Sequence, residues 1–460
     1  MAATEPRQVA FAILKRVELA GASASVLLRS MAEDHLDSRD AALATELVNG
    51  VLRRRLFLDA VISAFSSRPL ERIDTDVRLI LELATYQLLF LDRIPAHAAV
   101  HEAVEMVRGR VARRGAEGFV NGLLRAVAKN PAAARRAPLD GRHGDEAESL
   151  AMKESHPLWI TRRWIDRLGV DETRALLAAQ NTPPAMAVRA NSRLCSASTL
   201  AAALLAEGVA TRPSGWLEEF LIVEEGVAQR TDTFRRGWFY VQDLASGLVA
   251  RLAWSGLGEG ALIVLDACAA PGGKALAAAD LLGDRSFVVA CDLHPARLRV
   301  LAENSRRMAL PWCASLAVDL ASGSPPFCRD AGFDAVLVDA PCSGTGVIRR
   351  HPELRYRMNH EYLARLAELQ RSLLRNCARL VRPGGALTYS VCSLEPEEGI
   401  LQAQRFLEEQ RDFVPADPRP FLPDEAAPLV TRSPAGDVLV TQPHRDDLDG
   451  FFAARFARQR

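Results

Sequence analysis

From Ala261 onward, apolar runs rich in Val and Ile (LIVLDACA, SFVVACD, SLAVD, FDAVLVDAP and GALTYSVCS) alternate with segments of helical period. Runs without polar alternation need cover on both faces, which a parallel sheet wound with crossover helices provides. The pattern predicts a doubly wound α/β domain over residues 236–460. In such sheets ligands bind beyond the carboxyl ends of the strands, so the residues that close each run are the ones placed for chemistry.

The rest of the chain reads differently. At 460 residues it exceeds one ordinary core, and hydrophobic and charged fractions of 49% and 25% are those of a folded protein rather than a disordered one. Up to residue 130, apolar positions return every three or four residues, as in ALATELVNGVLRRR and DVRLILELATYQLLFL, which predicts an all-helical domain. PAAARRAPLDGRHGDEAESL, residues 131–150, mixes Pro, Gly and charge without a period and reads as a solvated linker. Over 151–235, AMAVRANSR and EEFLIVEEG look like short strands around a helix near Leu200 to Leu205, predicting a small α+β subdomain.

A formal net charge of +0 leaves any nucleic-acid contact to local patches. The eight cysteines (195, 268, 291, 313, 328, 342, 377 and 392) contain no CxxC pair, which argues against a structural metal site and for free thiols. No basic leader opens the chain, and no stretch approaches the ~20 apolar residues of a membrane span, so a cytoplasmic protein without a membrane partner is expected.

The strand ends carry acids and thiols. LIVLDACAAPGGKALAAA is a strand, a Pro-Gly-Gly turn and a helix start, where glycines admit a ligand close to the backbone and the helix offers free N–H donors. The same glycines also suit a plain βα turn. The next strand ends in Asp292, placed either to accept from both hydroxyls of a ribose or to cap the following helix. Asp319, closing the third, reads as an adenine-edge ligand or a cap. The fourth ends in DAPCSGTGVIRRHPE, carrying Asp339 and Cys342, and the fifth in Cys392. A cysteine in a sheet is usually a small buried hydrophobe, the reading kept for Cys291 and Cys377. Two thiols just past adjacent apolar runs are placed instead to attack an electron-poor ring carbon.

ACAAPGGK, DAPCSGTGVIRRHPE, YSVCSLEPEE and the terminal DGFFAARF resemble the motifs of the RNA cytosine-C5 methyltransferases, and within them the RsmB (Sun/Fmu) branch that modifies small-subunit (16S) ribosomal RNA. RIPAHAAVHEAVE and FVNGLLR resemble the NusB-like helical domain of that branch, and VQDLASGLV its entry into the catalytic domain. The resemblance covers nearly the whole chain. It implies a NusB-like RNA-binding domain over 1–130, a small RNA-contacting α+β subdomain and a Rossmann-like catalytic domain. S-adenosyl-L-methionine is implied as cofactor, held by Cys268, Ala269, Ala270, Pro271, Gly272, Gly273 and Lys274, with Asp292 toward the ribose, Asp319 toward the adenine and Asp339 close to methyl transfer. Cys392 is implied as the nucleophile that adds to carbon 6 of cytosine, and Cys342 as the thiol that expels the finished base. Val391 stands where the family usually has threonine.

Carbon 6 is inaccessible inside a stacked helix, so the base must be single-stranded or flipped out. Arg349, Arg350 and His351 are expected to hold RNA, or else to form a solvated loop. Arg53, Arg54 and Arg55 are expected to add contact by analogy of fold, and HPLWITRRWIDRL suits either RNA or domain packing. A non-catalytic RNA-binding factor, an enzyme acting on transfer RNA, and a DNA-type enzyme in which Cys342 attacks are the alternatives. No metal is expected.

Overall fold

In a computed structural model, residues 5–33, 35–111, 115–140, 145–258, 260–323 and 332–460 are described. Cys328 and the linker residues 141–144 lie outside them. The chain divides into two units: Met1–Thr182 with Ile348–Arg357, and Pro183–Val347 with Met358–Arg460.

The first unit is helical, as its periodicity predicts: α1 (Glu5–Ala20), α2 (Ala24–Leu28), α3 (Ser38–Phe65), α4 (Thr75–Phe90), α5 (Ala96–Arg110), α6 (Ala116–Lys129), α7 (Pro131–Arg136), α8 (Glu146–Lys153), α9 (Leu158–Leu168) and α10 (Val170–Gln180). Short acidic side chains start several of these helices. Asp37 accepts from Asp40 N at 2.8 Å ahead of α3, and Asp74 from Asp76 N at 2.9 Å ahead of α4. Leu47, Val51, Ile80 and Leu124 are fully buried in the core that results.

Among the described residues of 131–150, read from the sequence as a solvated linker, two stretches are helical, Pro131–Arg136 and the start of Glu146–Lys153. Asn130 caps α7 by accepting from Ala133 N at 3.0 Å, with Pro131 at the first helical position, and Asp145 caps α8. Proline and charge that read as linker are helix-start chemistry here. Helices α8 to α10 group with the first unit.

Arg53 and Arg55 are not surface groups. Arg53 is 8% exposed and donates to Arg349 O at 3.1 Å. Arg55 pairs with Glu18 at 2.5 Å, and Arg78 joins Glu18 and Glu82. Burial pushes Glu82 up to about 8. Arg54 contacts Lys153 O and Glu154. These arginines are spent on internal partners.

Ile348–Arg357 packs within this unit through Arg355, whose guanidinium is fully buried. It donates to Arg53 O (3.1 Å), Ser155 O (3.2 Å), Asn181 Oδ1 (3.0 Å) and Gln180 O (3.4 Å). A buried cation is tolerated because oxygen dipoles replace its water shell.

The second unit opens with β1 (Met186–Ala190), α11 (Ala197–Ala206), β2 (Ala210–Pro213), β3 (Phe220–Glu225), α12 (Asp232–Arg235) and β4 (Phe239–Val241). The four strands form an antiparallel sheet of order β2-β3-β1-β4, so the small subdomain extends past residue 235. There follow α13 (Leu244–Trp254), β5 (Ile263–Asp266), α14 (Gly273–Leu282), β6 (Phe287–Asp292), α15 (Pro295–Arg307), β7 (Cys313–Ala317), β8 (Phe333–Asp339), α16 (His360–Ala378), β9 (Val381–Val391), α17 (Ile400–Glu409), β10 (Phe413–Ala416), β11 (Val430–Ser433), β12 (Gly436–Thr441), α18 (Pro443–Asp446) and β13 (Phe451–Arg458).

Strands β7-β6-β5-β8-β9 are parallel, in the order a doubly wound sheet requires. Strand β13 then pairs antiparallel with β9 and carries β12 and β10. The strand order reverses between β5 and β8, and the turn after β5 and Asp339 after β8 flank that point.

Replacing Arg355 by Met should destabilise the first unit by ~2–4 kcal/mol, since several carbonyls lose their donor at once. Hydrogen exchange across α3 reads this; protection equal to wild type would contradict the role given to the buried guanidinium.

Candidate active site

The sequence between β5 and α14 turns back sharply. Gly272 sits at φ +118°, a region open to glycine, and a Cβ there would lie 2.9 Å from Leu301 Cγ. The Ala270–Pro271 peptide is cis. Arg297 holds the turn by donating to Ala270 O, and Ala270 N donates to Asp292 Oδ2 at 3.2 Å. Asp292 also accepts from His294 N at 2.9 Å and pairs with Arg297 at 3.3 Å, so it braces the glycine turn; it does not cap α15, whose N-cap position is His294. Asp319 lies exposed beyond the edge strand β7 and accepts from Ala321 N at 2.9 Å.

Lys274, first turn of α14, is buried and points at the neighbouring strand end. Its Nζ meets Asp339 Oδ2 at 2.7 Å, and Ser390 Oγ donates to Asp339 Oδ1 at 2.7 Å. The β8–β9 register sets Ser390 directly opposite Asp339. Burial works against the Lys274 ammonium, but Asp339, Asp266 and Cys392 outweigh it and hold the lysine above its usual range. Lys274 Nζ also stands 5.2 Å from the centroid of Phe451, which brings the DGFF segment to the same place. Asp266, the last residue of β5, is buried beneath these groups. Burial first, then the charge of Asp339, pushes it up to about 7.

Cys342 and Cys392 come together, with Sγ to Sγ at 3.4 Å and both partly exposed. The hydrogen bond with Cys392, then burial, then the charges of Cys392 and Glu398, push the Cys342 thiol well above its usual value. Val391 is fully buried in an apolar cluster, an environment that takes its branched shape without needing a hydroxyl. Cys291 and Cys377 are buried hydrophobes, as expected.

Several residues of this site went unread in the sequence. Glu398, in the EPEE that follows YSVCS, is fully buried. Its Oε1 accepts from Ser343 N (2.8 Å) and Gln370 Nε2 (3.0 Å); its Oε2 accepts from Ser343 Oγ and from Ser393 Oγ (2.5 Å). Thr345 Oγ1 accepts from Leu394 N at 2.7 Å, and Gly346 N donates to Cys392 O at 3.0 Å. The two cysteine loops are therefore cross-linked by polar contacts beneath the thiols. The acidic EPEE run was the available signal; Glu395 and Glu398 are both buried, and nothing in the run marks Glu398 as the one that joins the two loops.

Of the basic residues after Cys342, Arg349 is 3% exposed, while Arg350 and His351 are half-buried. All three lie in the first unit. Trp164 is fully buried, the packing alternative rather than the stacking one, and Trp159 is half-buried.

A Cβ on Gly346 would fall 1.9 Å from Gly450 O, a backbone atom that cannot swing aside. Gly346→Ala should therefore displace the Cys342 loop from the approach to β13 and lower the melting temperature by several degrees, about 2–3 kcal/mol; calorimetry measures it. Asp266 gives a pH test. Its folded value lies above its unfolded one, so ionising it costs stability progressively as pH rises from about 4 to about 7. The melting temperature of wild type relative to Asp266→Asn should fall between pH 5 and pH 8; parallel curves would refute the raised value.

Comparison with known proteins matches residues 258–457 to the 16S rRNA methyltransferase RsmB/F family, residues 4–129 to the NusB family and residues 156–229 to the RsmF/B-like ferredoxin-like domain. The Bacillus subtilis protein named "Probable ribosomal RNA small subunit methyltransferase B" is 34% identical over 454 residues, covering 98% of each chain. Ribosomal RNA small subunit methyltransferase B of Vibrio cholerae is 32% identical, covering 93% of this chain and 92% of its own. Among solved structures, that of PH0851 superposes with a TM-score of 0.81 at 24% identity, covering 99% of this chain and 100% of that one, which is a likeness of fold. With near full-length coverage at this identity, the chain belongs to the ribosomal RNA small subunit methyltransferase B family.

Proposed function

We propose that this protein transfers a methyl group from S-adenosyl-L-methionine to carbon 5 of a cytosine in small-subunit (16S) ribosomal RNA, in the cytoplasm, through a covalent adduct on Cys392. The observation that carries the reading is the pair of thiols 3.4 Å apart at the ends of β8 and β9, beside the Lys274–Asp339 ion pair.

The residues present suit that cofactor. Asp266, Asp292 and Asp339 surround the glycine turn, and the two cations there are each paired with a carboxylate, Lys274 with Asp339 and Arg297 with Asp292, which suits a ligand carrying cationic sulfonium and amino groups better than an anionic diphosphate. Residues Cys268 to Lys274 would hold it, with Asp292 toward the ribose and Asp319 toward the adenine. When bound, the cofactor supplies an electrophilic methyl group.

The thiolate of Cys392 adds to carbon 6 of a base drawn out of its stack, and the electron pair of the 5,6 double bond gathers at carbon 5, the position to be methylated. Release needs loss of the carbon 5 proton and cleavage of the Sγ–carbon bond, which returns the thiolate. Cys342 stands beside that bond. Its environment holds it as the thiol, a poor nucleophile, which leaves the attack to Cys392 and supports this division of roles over the DNA-type one. Asp339, tied down by Lys274 and Ser390, faces the transfer site. Arg350 and His351 are the residues of the basic triplet proposed to touch RNA.

With labelled cofactor and 16S ribosomal RNA, Cys392→Ala should lose methylation by about a thousandfold or more and form no covalent band on a denaturing gel. Cys342→Ala should accumulate a covalent protein–RNA band. Reversed phenotypes would give the nucleophile's role to Cys342.

A further inference from the structure

Glu398 is fully buried, yet it stands in none of the roles above. Its two oxygens take four donors, three from the residues that directly follow the two cysteines: Ser343 N, Ser343 Oγ and Ser393 Oγ. The fourth, Gln370 Nε2 on α16, also donates to Pro341 O at 2.9 Å, so the chain is held on both sides of Cys342. Glu398 is itself anchored: its carbonyl accepts from Tyr389 OH at 2.5 Å, inside β9. A buried carboxylate with four donors is a stiff junction, because moving any one donor leaves charge unsolvated.

We propose that Glu398 is a positioning residue of the methyl-transfer site, tying the residue after Cys342 to the residue after Cys392 and so setting the spacing of the two thiols. This rests on the two-thiol reading above. The thiols belong to separate loops, and β8–β9 pairing ends before either is reached: the last paired residues are Asp339 and Ser390. Beyond that point the register no longer controls where the sulfurs lie. The carboxylate takes over that control, together with Thr345 and Gly346. Its charge also faces Cys342 and adds to the bias toward the thiol there.

The test measures spacing independently of methylation. Diamide, taking up two electrons and two protons, converts neighbouring thiols to a disulfide, and peptide mass spectrometry follows the Cys342–Cys392 bridge over time in the full-length protein. Glu398→Ala should slow bridge formation by about tenfold or more, since tethered groups lose effective concentration once the tether is cut. Glu398→Gln should stay within about threefold of wild type: its amide oxygen can keep Ser343 N and Gln370, while its NH2 donates to the two hydroxyls. Ser343→Ala, a milder change, should fall between them. In single-turnover assays Glu398→Ala should show slower adduct formation with unchanged cofactor affinity, and Glu398→Gln should restore it. A wild-type bridging rate in Glu398→Ala, or equal loss in Ala and Gln, would overturn the positioning role. Absence of an RNA adduct in wild type would instead overturn the functional reading, leaving the bridging result to stand on geometry.

Discussion

The parallel pairing of β8 with β9 is the constraint on which the site depends. Its register sets Val338 against Tyr389 and Asp339 against Ser390. Side chains alternate faces along a strand, so a slip of one residue would turn Asp339 away from both Ser390 and Lys274 and separate the loops that carry the thiols. Strand β5 on one side brings Lys274 within reach through the glycine turn, and β13 on the other brings Phe451. The candidate site thus sits where four segments distant in sequence are brought together by backbone pairing.

Polar groups are buried in both units, and for Arg355 and Glu398 several neutral partners rather than one opposite charge make burial tolerable. Arg355 is surrounded by carbonyl oxygens, and Glu398 by amide and hydroxyl donors. Such centres are satisfied only in one arrangement, so they contribute uniqueness to the fold more than net stability. Lys274 and Asp339 differ. A buried lysine in short contact with a half-buried aspartate makes a charged pair beside the two thiols, with Asp266 beneath at about 7.

Much of the architecture was legible before the structure. Apolar runs identified β5 to β9 and placed Asp292, Asp339, Cys342 and Cys392 at or just past strand ends, because a strand buried on both faces has a composition that loops and surface helices lack. Helical periodicity identified the first unit. The helices over Pro131–Arg136 and Glu146–Lys153 were missed because proline and charge mark helix starts as well as coils. Arg53, Arg54 and Arg55 were expected to contact RNA by analogy of fold, and a basic run carries no sign of the carboxylates and carbonyls that α1, α4 and the Ile348–Arg357 segment bring to it.

By itself the sequence determined the helical character of the first unit, the strands β5 to β9 and the residues that end them, because these follow from local period and composition, while the family was indicated by the resemblance of its motifs. Only the tertiary structure decided that Ser390 braces Asp339, that Arg349 is buried, that the two sulfurs lie 3.4 Å apart and that Glu398 joins their loops. Those facts depend on contacts between residues about fifty positions apart or more, or on which of two buried acids in one short run meets the neighbouring loop. Local pattern does not encode either, whereas backbone pairing and the cost of burying an unsatisfied charge do.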